Sequence, residues 1–189
     1  MTKGNKGTNV PEWILKSREK WQYNGQIRPP FAEQPKSGQR SVWDFPRPPA
    51  LVPSPKEVEV RKNEVQLALS SKALELLETA SPPTYYVPPE AIVFDLLVPL
   101  PNRGSLCEWK GNANYWALKE APDKAIAWSY PNPFEAYEEL RDHLAFYPQY
   151  LDCFLDGEKV VPQPGGFYAG WITEDLCGPF KGEPGTGHW

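Results

Sequence analysis

Apolar and charged residues alternate most plainly in Glu57-Val-Glu-Val-Arg-Lys62, where Val58 and Val60 fall on one face and Glu57, Glu59 and Arg61 on the other. That period of two predicts a strand with one wet side, continuing after an Asn63-centred turn into Val65 to Leu69. A second ribbon is predicted in the stretch from Leu106 to Tyr130, where Tyr115 to Leu118 and Ala125 to Tyr130 flank a polar turn at Glu120 to Lys124. Alternation sends Tyr115 and Ala117 to one side of that ribbon and Trp116 and Leu118 to the other, and groups Ile126, Trp128 and Tyr130 on one face. A third hairpin is expected in YLDCFLDGEKVVP, with Asp156-Gly157 as its two-residue turn. The nearly unbroken apolar run Ala91 to Val98 reads as a central strand buried on both sides. Three stretches carry helical signals. Glu12 to Trp21 follows Pro11, Lys72 to Glu78 follows a capping Ser70 or Ser71, and a segment capped by Asn132, with Pro133 at its first position and Glu135 three residues on, runs to about His143.

Composition sharpens this picture. The chain of 189 residues is long enough for one domain plus an appendage, and its 23 prolines and 14 glycines argue against a helical bundle. We therefore expect a mainly β fold of small antiparallel sheets with one or two short helices. Residues 1–55 form a proline-rich arm that nevertheless holds Trp13, Trp21, Tyr23, Phe31, Trp43 and Phe45, so it is expected to pack on something. SVWDFPRPPALVPSP reads as an extended strap across a sheet edge or face of its own domain or of a second copy, and the tail from 163–189 as a glycine- and aromatic-rich counterpart. The core domain lies between them at 56–162. Two straps this rich in rings suggest a homo-oligomer built through them.

Charge is unevenly placed. Residues 1–50 hold nine Lys/Arg against four Asp/Glu, whereas the whole chain is at -4. The basic residues are spaced singly, which favours an arm lying on an acidic body over a nucleic-acid grip. Three cysteines are too few for a disulfide framework, the N-terminal MTKGNKGTNV lacks an apolar leader core, and no run is long enough to span a membrane. These features point to the cytoplasm.

Several chemistries find no support in the residues. No cysteine or histidine pair has zinc-ligand spacing, and GEPGTG at 182–187 precedes no helix that would make it a phosphate cradle. Glu57 and Glu59 are the solvated side of a strand, and Cys107 has no activating histidine near it in sequence. Lys110 stands apart because it sits between Trp109 and Gly111 at the lip of the aromatic hairpin. It either pairs with Glu108 or Glu120 at the surface or aims its ammonium into the rings. One echo is unassigned: Cys107-Glu-Trp-Lys-Gly and Cys177-Gly-Pro-Phe-Lys-Gly share a cadence, by chance or as a repeated loop shape.

LELLETASPPTYYVPPEAI, CEWKGNANYW, AWSYPNP and HLAFYP resemble, in order and spacing, the signature blocks of the bacterial and fungal family known as domain of unknown function 427, which also carries a nucleotidyltransferase-like label. The resemblance spans about residues 57 to 162, and the flanks look like a long-form branch. It implies strongly bent, β-tent-like sheets that meet around a gap. Its blocks match at Tyr86, Pro88, Lys110, Gly111, Tyr115, Trp116, Trp128 and Tyr130. From these we take Tyr86, Lys110, Tyr115, Trp116, Trp128 and Tyr130 as the candidate pocket for a small planar or anionic ligand, with no metal and no cofactor named. Lys110 with Tyr115 or Tyr86 forms the candidate catalytic pair if the site is an enzyme, through acid–base or Schiff-base chemistry. A scaffold without a ligand is the third reading.

Overall fold

In a computed structural model, described here over residues 10–189, the chain is mainly β. The first nine residues, where no leader-like run is expected, lie outside the described residues. The strands are β1 (Arg40–Ser41), β2 (Ala50–Pro53), β3 (Val58–Lys62), β4 (Val65–Ser70), β5 (Leu74–Leu77), β6 (Thr84–Val87), β7 (Leu97–Cys107), β8 (Gly111–Leu118), β9 (Ala121–Pro133), β10 (Leu144–Phe146), β11 (Asp152–Leu155), β12 (Glu158–Lys159), β13 (Val161–Pro162), β14 (Trp171–Ile172) and β15 (Leu176–Cys177). One α-helix, α1 (Glu12–Arg18), follows Pro11 as expected, and short 3-10 turns complete the regular structure.

Seven strands form an antiparallel sheet in the order β2-β5-β6-β10-β9-β8-β7, and four form a second in the order β12-β11-β3-β4. The hairpins predicted at Asn63, at Glu120 and at Asp156-Gly157 are all present. Asp156 and Gly157 both have positive φ, 49° and 82°, the conformation that lets a two-residue turn follow the strand twist. Val58 and Val60 face inward as the alternation requires. Both edge strands of the larger sheet carry prolines, Pro53 on β2 and Pro99 and Pro101 on β7. A residue without an N–H costs nothing on an open edge and blunts it against further pairing.

Three expectations are corrected. Lys72 to Glu78 is not helical: Leu74–Leu77 is a strand held between β2 and β6, with Glu75 buried and ion-paired to Arg40 at 2.9 Å. Pairing on both sides outweighs the helix preference of Leu and Glu. Ala91 to Val98 is not a buried strand: it forms two 3-10 turns, Pro89–Ala91 and Phe94–Leu96, with Val93 and Phe94 exposed, and β7 begins only at Leu97. The segment after Asn132 is a 3-10 turn, Glu135–Leu140, because Asn132 and Pro133 still belong to β9 and cannot cap. Its Tyr137 and Leu140 are nevertheless buried, as the apolar stripe predicts.

The larger sheet is covered on both faces. Tyr85, Val87, Leu144 and Phe146 face the smaller sheet's Val58, Val60, Leu67 and Ala68, with Trp171 among them. Alternation turns Tyr86 and Ala145 to the opposite face, where they meet Tyr130, Tyr137, Leu140 and Trp109. Both straps fold onto their own chain. β2 is an edge strand of the sheet, β1 runs parallel to β15, and Trp43 is fully buried against Tyr23, Phe31 and Trp189. The basic arm lies on acidic or electron-rich partners: Arg47 on Glu78, Arg40 on Glu75 and Asp175, Arg18 over the Trp109 ring.

Candidate functional site

On the face of the larger sheet turned away from the smaller one, a cavity of about 340 Å³ opens among β6, β8 and β9. That is the size range of small-molecule sites. Its wall holds Tyr86, Tyr115, Trp128, Tyr130 and Tyr147, with Cys107 from the end of β7 and Lys110 from the β7–β8 connection. The pairing of Tyr115 with Trp128 puts those two rings on one face, and Trp128 packs on Tyr147 with centroids 4.7 Å apart. Tyr86 sits edge-on to Trp128 at 6.2 Å and tilted to Tyr130 at 6.3 Å.

Trp116 does not join them. It pairs with Ala127, donates its indole N–H to the Ser129 hydroxyl at 3.0 Å and packs against Phe94 and the core between the sheets. Ile126 also departs from its expected face. The register jumps from Trp116–Ala127 to Ala117–Ala125, leaving Ile126 as the unpaired extra residue of a bulge, so it turns into the inter-sheet core while Trp128 and Tyr130 keep the cavity side. Of the two tryptophans expected in the pocket, Trp128 lines the cavity and Trp116 does not.

Lys110 is only 7% exposed. Its Nζ lies 5.8 Å from the Tyr130 ring centroid, and no described carboxylate is within ion-pair distance. Gly111 makes the placement possible: its φ of 101° belongs to glycine, and it turns the chain so that the Phe134 N–H meets the Lys110 carbonyl at 3.0 Å. Burial pulls against the ammonium, but the Cys107 thiol, the Tyr86 and Tyr130 phenols and the Glu78 carboxylate outweigh it, and the Lys110 pKa moves up. Burial also raises Tyr86, Tyr130 and Tyr147, so all three stay protonated at neutral pH.

The sequence did not single out the far side of the cavity. There Trp21 from the arm meets Gln163, Phe167, Tyr168, Ala169 and Lys181 from the tail, with Glu78 and Glu108 between. Lys181 is 2% exposed, with its Nζ 3.8 Å from the Trp21 ring centroid, 5.4 Å from that of Tyr168 and 2.8 Å from the main-chain oxygen of Trp189. Glu108 accepts the Trp21 indole N–H at 3.0 Å. Tyr147 was within reach through HLAFYP, and Lys181 through the Cys177-Gly-Pro-Phe-Lys-Gly echo, since both lysines of that cadence line one cavity. Among the described residues no three His, Cys, Asp or Glu side chains converge as a metal would require. No helix there is long and apolar enough to cross a membrane.

The fold and the block residues together define a family member. The model described as "Domain of unknown function (DUF427)" matches residues 50–157, more than half of the chain, and the chain belongs to that family. No curated protein matches it.

Proposed function

We propose that the chain is a small-molecule-binding module whose cavity takes a planar ligand carrying an anionic group. The observation that carries this reading is the buried Lys110 ammonium, without a carboxylate partner, at the wall of a cavity lined by aromatic rings. An anion in the cavity would give this ammonium the charged partner that no carboxylate within ion-pair distance supplies. Trp128, Tyr86 and Tyr115 would contact the planar part, each ring adding about 0.5–1.5 kcal/mol beyond area burial. The upward shift of Lys110 favours an ammonium that binds over an amine that reacts. Three free thiols suit a reducing compartment such as the cytoplasm.

Tryptophan fluorescence tests the reading. Titration with a panel of aromatic carboxylates and phosphates is expected to quench the wild-type signal saturably, through Trp128. Lys110→Met should weaken the binding about 10- to 100-fold, the worth of a charge-assisted hydrogen bond. A panel without saturable quenching, or a Lys110→Met protein that binds as well as wild type, would sink it.

A further inference from the structure

We propose that the cavity continues past Tyr115, Tyr147 and Phe167 into a second, solvent-open groove where Arg103 and Lys124 receive another anionic group, so that the ligand is an elongated planar dianion. This deepens the binding reading and rests on it: Lys110 holds one end of the ligand and the groove holds the other.

The two spaces share a wall. Tyr115, Tyr147 and Phe167 line both the cavity and a neighbouring groove of about 450 Å³, whose rim carries Arg103, Asp123 and Lys124. A line of rings runs from one space into the other. Trp128 lies 4.7 Å from Tyr147, Tyr147 lies 6.0 Å from Tyr150, and the Lys124 amine caps the line 3.6 Å from the Tyr150 centroid. A flat ligand laid against Trp128 and Tyr147 extends toward Lys124. Along β9 the stretch from Lys124 to Tyr130 covers at most about 20 Å at the usual rise of a strand, so a ligand that meets both ends is longer than a single ring.

Both cations owe their position to breaks in strand pairing. β7 and β8 pair Leu100 with Tyr115 and next Gly104 with Asn114, so Pro101, Asn102 and Arg103 stand out of the ladder beside Tyr115. β8 and β9 pair Ala117 with Ala125 and next Leu118 with Ala121, which releases Pro122, Asp123 and Lys124 in the same way. Bulges re-aim side chains, and these two bring a cation to one groove from opposite sides of β8. Arg103 and Lys124 are exposed, and neither is within ion-pair distance of a described carboxylate. The tail side of the cavity is a poorer place for a second anion. Lys181 already donates to the Trp189 main-chain oxygen at 2.8 Å and lies 3.8 Å over the Trp21 ring, and Glu78 and Glu108 line the same wall. The groove sets two cations against one carboxylate.

Isothermal titration calorimetry of the full chain at low salt tests this with terephthalate, biphenyl-4,4′-dicarboxylate and stilbene-4,4′-dicarboxylate, each against its own monocarboxylate. The second carboxylate should tighten binding about 3- to 10-fold in at least one of the two longer pairs, the range for exposed charges, and the gain should shrink as salt is raised. Arg103→Gln combined with Lys124→Gln should erase that gain and leave the monocarboxylate's affinity unchanged, which also shows that the variant is folded. No gain at either length, or a gain that survives in the double variant, would overturn the proposal. If the monocarboxylates bind in a Lys110-dependent way and the dicarboxylates bind no better, the groove falls and the cavity stands; if none of these compounds binds saturably, both fall.

Discussion

Lys110 and Lys181 are buried to similar depth, yet their pKa values move in opposite directions, and the difference lies in their neighbours. Around Lys110 stand a thiol, two phenols and a carboxylate, whereas Lys181 faces an arginine across one indole. The sign of the consequence for stability follows from which state holds the proton. Between about 8 and the ordinary 10.5, the unfolded chain keeps a proton on Lys181 that the folded chain has released, so this residue's contribution to stability rises with pH across that window. Lys181→Arg should abolish that rise, read as the difference in urea midpoint between variant and wild type at successive pH values. Tyrosines shifted up by burial act in both proteins alike and cancel in the difference. Glu75 gives a second prediction at this scale. Its carboxylate accepts from Arg40 at 2.9 Å and from the Tyr85 hydroxyl at 3.1 Å in the sheet interior, so Glu75→Leu strands both donors. A loss of about 2–4 kcal/mol is expected by denaturant unfolding, below the full cost of a buried broken pair because Arg40 keeps contact with water and with Asp175.

What decides the site among the elements is the bulge in β9. Without the extra residue at Ile126, strict alternation would carry Ile126, Trp128 and Tyr130 along one face; with it, Ile126 enters the inter-sheet core and the two rings keep the other side. Much of this was legible in the chain. The three hairpins announced themselves because their turns and periods are local, and five of the six residues taken from the block resemblance line the cavity. Trp116 was misplaced because register across a hairpin cannot be read from one strand alone. Leu74–Leu77 was misread because strand pairing on both sides, with β2 before it and β6 after it, overrides what the stretch prefers by itself. The Asp156-Gly157 turn offers an element-level check: Gly157→Val puts a β-branched residue at a φ of 82° and should cost about 1–2 kcal/mol in thermal or urea unfolding, with ligand quenching at saturation unchanged.

For the molecule as a whole, the straps do structural work at a third cluster distinct from the two sheet faces. Val42, Trp43, Phe45, Ala80 and Leu176 are buried together, with Tyr23, Phe31-side rings and Trp189 packed around Trp43 at centroid distances near 5.2 Å. Trp43→Ala should cost about 3–5 kcal/mol, the range for a fully buried large ring. Because arm and tail meet there, limited trypsin digestion of that variant should cut both after Lys36 and after Lys181 sooner than wild type, instead of one strap alone. The family region, 50–157, supplies the sheet and the Lys110 side of the cavity, while Trp21, Gln163, Tyr168 and Lys181 come from outside it.

That division has a consequence for the order of events during synthesis. The chain emerges from its N-terminus, so the aromatic trough on the sheet is complete while its far wall is still being made. A nascent chain that has reached the end of the family region at residue 157 displays the rings with Gln163, Tyr168 and Lys181 still to come.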